Sequence, residues 1–198
     1  SEMCIRDSLY TGRPGRRLVL IKMAAVLTIS GLLFVLLTGL MTLLYVLLYR
    51  IDLYWNVPVA SQLCEDGPAI PRFAVTLLQY WWFQLGVGLG CVLIMALLFT
   101  GIMALTKNFY VGSALMVLLV AGFVVLLKMV PGTESSFLLM SSPMGLFFHT
   151  GFLLMPFLSA STMFTALPHF EGLSLLLWGI IAAIVMALGM WRMRRASI

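Results

Sequence analysis

Charged residues vanish from long stretches of this chain. None occurs from Met23 to Tyr49, none from Phe73 to Thr106 and none from Asn108 to Leu127. A helix rises about 1.5 Å per residue, so about 20 apolar residues cross the roughly 30 Å hydrocarbon core of a bilayer. Each run is long enough. Backbone groups in lipid must bond within their own segment, so the pattern predicts helices. The expected fold class is all-α: a polytopic helical membrane protein with four transmembrane helices.

The punctuation between the runs sets the expected spans, at about 23–49, 73–106, 109–130 and 172–191. Tyr45, Tyr49, Tyr54 and Trp55 mark the far end of the first span as an aromatic belt. A polar loop at about 50–71 follows, with Pro58, Pro68 and Pro71 and the acids Asp52, Glu65 and Asp66. Tyr80, Trp81 and Trp82 place the start of the second run at the interface. Lys107-Asn108 is a tight turn, which makes the second and third spans a helical hairpin. Lys128 can snorkel to headgroups at the end of the third span. Pro131-Gly132 stops that helix, and the last span ends in Trp191-Arg192-Met193-Arg194-Arg195.

Residues 137–170 are apolar but interrupted by Ser141-Ser142-Pro143, His149-Thr150-Gly151, Pro156 and Pro168. They form either one more span or a re-entrant or interfacial helical element. Charge discriminates between the two. The chain has 12 Lys and Arg, and setting Arg6 aside leaves 11. If 137–170 does not cross, Arg13, Arg16, Arg17, Lys22, Lys107, Arg192, Arg194 and Arg195 share the cytoplasmic side, against Arg50, Arg72 and Lys128 outside. All acids beyond residue 8 then face outward. If it does cross, the terminal arginines land outside, against the positive-inside rule. The expectation is four spans, both termini cytoplasmic, and an outer element at 137–170.

Composition agrees with a membrane protein. The chain of 198 residues is 62% hydrophobic and 10% charged, against about 25% charged in soluble domains. The net charge of +5 is a topology signal rather than a nucleic-acid footprint. Residues 9–22 (LYTGRPGRRLVLIK) read as a cytoplasmic basic loop or interfacial helix, and 196–198 as a short tail. Ser1–Ser8 (SEMCIRDS) resembles translated sequencing-adapter read-through. On that reading it is a probable artefact, and the reading frame continues upstream.

Candidate chemistry is sparse. Cys4, Cys64 and Cys91 have no metal-site spacing, and the topology puts Cys4 and Cys64 on opposite faces. His149 and His169 lie twenty positions apart with no carboxylate between them, and Glu171 is expected in a loop before the last span. No catalytic, metal or cofactor site is expected. No carboxylate falls within a span, which disfavours a proton-driven mechanism. No phosphate-binding loop is present, so no ATP hydrolysis is expected of this chain. The 14 Met and 13 Phe fit lipid-facing and interhelical packing better than a soft binding surface. Gly86 and Gly90 make a GxxxG spacing, a candidate helix-packing site.

The order of features carries a resemblance. Gly15-Arg16-Arg17-Leu18 and Lys22 enter a long span. Pro58-Val59-Ala60-Ser61-Gln62 lies in the outer loop, a Lys-Asn turn joins two spans, and Ser142-Pro143 precedes the final span with its basic tail. Over about residues 9–195 this resembles the C-terminal two-thirds of a bacterial permease of the type-2 ATP-binding-cassette exporter class. The resemblance implies that these spans are the third to sixth of six, with 137–170 as an outer hairpin. It implies a cassette ATPase partner, a second permease subunit, the same or different, and a bacterial plasma membrane location. The ATPase-coupling loop falls on Gly12, Arg13, Gly15, Arg16, Arg17 and Lys22. The plainer reading of those arginines is a topology signal against anionic lipid. The competing function is a non-transporting integral membrane scaffold or assembly protein.

Overall fold

The computed structural model describes residues 15–58, 63–64, 67–68, 75–106, 108–129, 141–148 and 170–195. At 15–20, 63–64, 67–68, 109, 127–129, 148, 170 and 193–195 it describes the backbone alone. Among the described residues five α-helices carry the fold: α1 Gly15–Tyr49, α2 Leu77–Thr106, α3 Phe109–Met129, the short α4 Pro143–Phe148, and α5 Phe170–Arg195. Three of them (α1, α2 and α5) are long and apolar enough to cross a membrane, and α3 holds a shorter apolar stretch, Tyr110–Leu126. The chain is an all-α membrane protein. A two-residue antiparallel pair, Leu63–Cys64 with Gly67–Pro68, lies in the connection between α1 and α2.

The glycine contacts give the helix directions. A Cβ on Gly31 would meet Leu89 and Leu93, and one on Gly88 would meet Phe34, so α1 and α2 run antiparallel. Gly112 meets Met103 and Thr106, which closes the α2–α3 hairpin. Gly90 meets Leu175, Gly101 meets Val185 and Met186, and Gly189 meets Ala104. Both numbers rise together along that seam, so α2 and α5 are parallel. The start of α1, the α2–α3 connection and the end of α5 therefore lie at one end of the bundle. That end carries the exposed Lys22 and Arg192.

The α2–α5 seam is the core. The buried residues of α2 are Val87, Gly88, Cys91, Ile94 and Gly101, of which Gly88 faces Phe34 of α1. From α5 the seam buries Glu171, Ser174, Ala182 and Met186. Apart from the adjacent pair Val87-Gly88, those positions are spaced by one or two helical turns, the spacing of one helix face. Elsewhere the usual soluble pattern is inverted. Leu36, Leu47 and Leu48 on α1, Val117 and Leu118 on α3, and Leu173 and Leu176 on α5 are all more than half exposed, as lipid-facing side chains should be. Hydroxyls within the spans bond to their own helix: Thr28 donates to the Ala24 carbonyl (2.9 Å), Thr42 to that of Thr38 (2.7 Å) and Thr100 to that of Ala96 (3.0 Å). Such bonds to the helix's own carbonyls are what makes Ser and Thr tolerable at depth, while the buried Trp178 Nε1 of α5 has no hydrogen-bond partner among the described residues.

Local chemistry explains the helix ends. Thr76 and Gln79 form a capping box: the Gln79 side chain accepts from the Thr76 N–H (3.1 Å), and Thr76 Oγ1 accepts from the Gln79 N–H (3.4 Å). Asn108 caps α3 by accepting from the Tyr110 N–H (3.1 Å). Arg50 ends α1 in the left-handed region (φ 52, ψ 43), where its N–H still reaches the Val46 carbonyl (3.0 Å).

One sequence expectation changes here, and another is narrowed. Of the alternatives for 9–22, a basic loop or an interfacial helix, residues 15–22 are helical. α1 begins at Gly15 and continues unbroken into the span, because no breaker follows Pro14-Gly15 and Arg16 to Lys22 are tolerable helix formers. Glu171 does not sit in a loop. It lies in the first turn of α5 and is 7% exposed. With Leu175 opposite Gly90, α5 starts about eight residues, or roughly 12 Å, along α2 from Leu77. Unpaired N–H groups and the helix dipole at that terminus favour a carboxylate. The premise that no carboxylate enters a span therefore fails at the outer edge of α5.

Candidate functional site

The outer element is known here through α4. Ser142 caps it, its Oγ accepting from the Gly145 N–H (3.0 Å), while Pro143 takes the first helical position, where its missing N–H costs nothing. Leu146, 2% exposed, joins Val87 and Cys91 in one buried cluster, with Leu175 packed against it. Val87 and Cys91 lie about 15 and 21 Å along α2 from Leu77. The short helix is thus sunk beside α2, well past the Trp81–Trp82 pair, rather than laid across the end of the bundle. Phe34 of α1 reaches the same level, with its ring centroid 6.3 Å from that of Phe147.

Above this cluster a cleft of about 460 Å³ opens between the end of α1 and the start of α2. Tyr45 comes from α1, Tyr54 and Trp55 from the turn at Ile51–Tyr54 and its end, and Tyr80 and Trp81 from α2. Thr42, Val46, Ile51, Leu77 and Gln84 complete the lining. Backbone bonds hold its rim. The Leu77 N–H donates to the Val57 carbonyl (3.0 Å), and the Leu78 N–H to that of Trp55 (3.1 Å). Pro58 bridges to Thr76. Tyr80 and Gln84 share a side-chain hydrogen bond. Arg50 and Asp52 form an exposed ion pair at 3.4 Å, of the kind that contributes little in water.

The residues singled out from sequence fall elsewhere. Gly12 and Arg13 lie outside the described residues. Gly15, Arg16 and Arg17 form the first turn of α1, with their side chains outside the described set, and Lys22 is exposed two turns later. Gly90 packs against Leu175, with 3.3 Å between its would-be Cβ and two side-chain carbons, whereas a Cβ on Gly86 would meet no described residue within 4 Å beyond its own helix. Among the described residues, the tightest approaches to a neighbouring helix backbone are at Gly101 (Met186 N, 3.1 Å) and Gly189 (Gly101 O, 3.0 Å), which the GxxxG pattern does not include. Lys107, His149 and His169 lie outside the described residues. Among the described residues, no three His, Cys, Asp or Glu side chains gather.

Sequence reasoning read the aromatic residues as two belts and missed the cleft. The signal was available: both clusters flank one loop, and a loop that closes on itself brings its flanks together. No family model matches the chain, and no curated protein or solved structure matches it.

Proposed function

We propose that this chain is a transmembrane permease subunit of an ATP-binding-cassette exporter in a bacterial plasma membrane. Its basic end faces the cytoplasm, and it works with a separate cassette ATPase and a second permease subunit. The observation that carries this reading is α4. A short capped helix opening with Ser142-Pro143 is embedded beside α2 and followed in the chain by the last long helix, where the resemblance calls for an outer element. The gathering of both terminal helix ends and the hairpin connection at one end of the bundle supports it further. An ATPase docking from that side would meet the start of α1.

The test is co-expression with a cassette ATPase encoded beside this gene. The two should co-purify. Replacing Arg16 and Arg17 with Ala should lower both partner yield and transport-stimulated ATP hydrolysis. Insertion should survive, since Arg13, Lys22, Lys107 and the C-terminal arginines still orient the chain. Wild-type co-purification of the double variant, with a new dependence on anionic lipid, would return these arginines to a lipid-contact role. Failure of the unmodified pair to associate favours the scaffold reading.

A further inference from the structure

The aromatic cleft has the composition of a cation cage. Five aromatic side chains from three separate elements converge on one cavity of about 460 Å³, a volume in the range of small-molecule sites. Among the described residues the lining holds no Lys, Arg, Asp or Glu, and its polar groups (Thr42, Gln84, the tyrosine hydroxyls and the indole N–H groups) are neutral. Aromatic faces carry negative potential, so such a wall attracts a cation that surrenders its water easily and repels an anion. A quaternary ammonium fits best, because it has no N–H donors to leave unsatisfied in an apolar cleft.

We propose that this cleft binds a quaternary ammonium group. The site stands independently of the exporter reading.

An ordinary interfacial belt is the competing explanation for these rings, and it makes a different arrangement. Belt residues point outward to headgroups, as the exposed Tyr49 and Trp82 do (66% and 59%); of the cleft's own rings, Tyr45 and Tyr54 at its mouth share that exposure (54% and 58%), whereas Trp55, Tyr80 and Trp81 are half-buried. Trp81, next to Trp82 with its ring in edge contact (centroids 4.8 Å apart), instead turns into the cavity and is half-buried. The capping box and the backbone bonds from Leu77 and Leu78 hold the turn against the start of α2. A pre-formed rim lowers the ordering cost of binding.

The ammonium has two possible sources, a free organic cation or the choline headgroup of an outer-leaflet lipid. The experiment uses the purified protein in phosphatidylglycerol nanodiscs, with radiolabelled choline as the probe. Binding should saturate. Its uncharged isostere, 3,3-dimethylbutanol, should compete about tenfold less well than unlabelled choline. Trp81→Leu and Tyr45→Leu, which remove rings from opposite walls, should each weaken binding by about threefold or more, while Trp82→Leu should leave it unchanged. Nanodiscs of phosphatidylcholine then identify the source: binding abolished there means that the lipid headgroup occupies the cleft, and binding retained means a free cation does. Equal competition by the isostere, no saturable binding in phosphatidylglycerol, or full binding by both cleft variants would each overturn the proposal.

Discussion

A Cβ placed on Gly101 would lie 2.9 Å from Val185 Cγ1 and 3.1 Å from the backbone nitrogen of Met186. The second distance decides the matter. A side-chain tip can rotate away, but a helix backbone cannot move without the whole of α5. Gly101→Ala should therefore destabilise the protein by about 1–3 kcal/mol, the range for overpacking. Gly189→Ala, which meets the Ala104 methyl at 2.8 Å and the Gly101 carbonyl oxygen at 3.0 Å, should do the same. Thermal melting in detergent measures both, and melting points equal to the parent would show that the α2–α5 seam is looser than this geometry.

The GxxxG pair separates in the same assay. A Cβ on Gly86 would meet no described residue within 4 Å beyond its own helix, whereas one on Gly90 meets Leu175 at 3.3 Å. Gly90→Leu should lower the melting point, and Gly86→Leu should leave that of the isolated subunit unchanged. If Gly86→Leu instead weakens association of two subunits on size-exclusion chromatography, its open face is the seam between them.

Ser142→Ala removes the side-chain acceptor for the Gly145 N–H (3.0 Å). The site is buried, with Ser142 itself 7% exposed, so water does not readily replace the lost bond. The expected cost is about 1–2 kcal/mol. The readout is labelling of Cys91, the buried thiol beside Leu146, by a membrane-permeant maleimide. Labelling should speed up as α4 loosens. Unchanged labelling would mean that α4 is held by Leu146 packing alone.

Topology is tested by reporter fusions after Ile198 and within Glu65–Pro68. They should report opposite sides of the membrane, because the end of α5 and the connection between α1 and α2 sit at opposite ends of the bundle. The same side for both would remove the four-span arrangement.

The spans were legible because lipid imposes a simple rule. A run without charge that is long enough to cross must satisfy its own backbone, so Met23–Tyr49 and Phe73–Thr106 read as helices before any packing is known. The hairpin at Lys107-Asn108 and the break at Ser142-Pro143 were legible too, since Pro and short polar turns act locally. The seam was not. Small residues are scattered over every helix here, and the choice of Gly101 and Gly189 over Gly86 depends on how α5 is set along α2. That offset is a long-range contact with no local signature.

The same offset drew Glu171 into the first buried turn of α5 and out of the loop that its charge suggested. The cleft followed from closure of the α1–α2 connection, whose backbone bonds join Val57 to Leu77 across some twenty residues. The sequence by itself determined which segments can live in a bilayer, because that depends on each segment's own transfer energy. Only the tertiary structure decided which faces meet, how deep α4 sits and which rings share a cavity, because those depend on the relative placement of helices far apart in the chain.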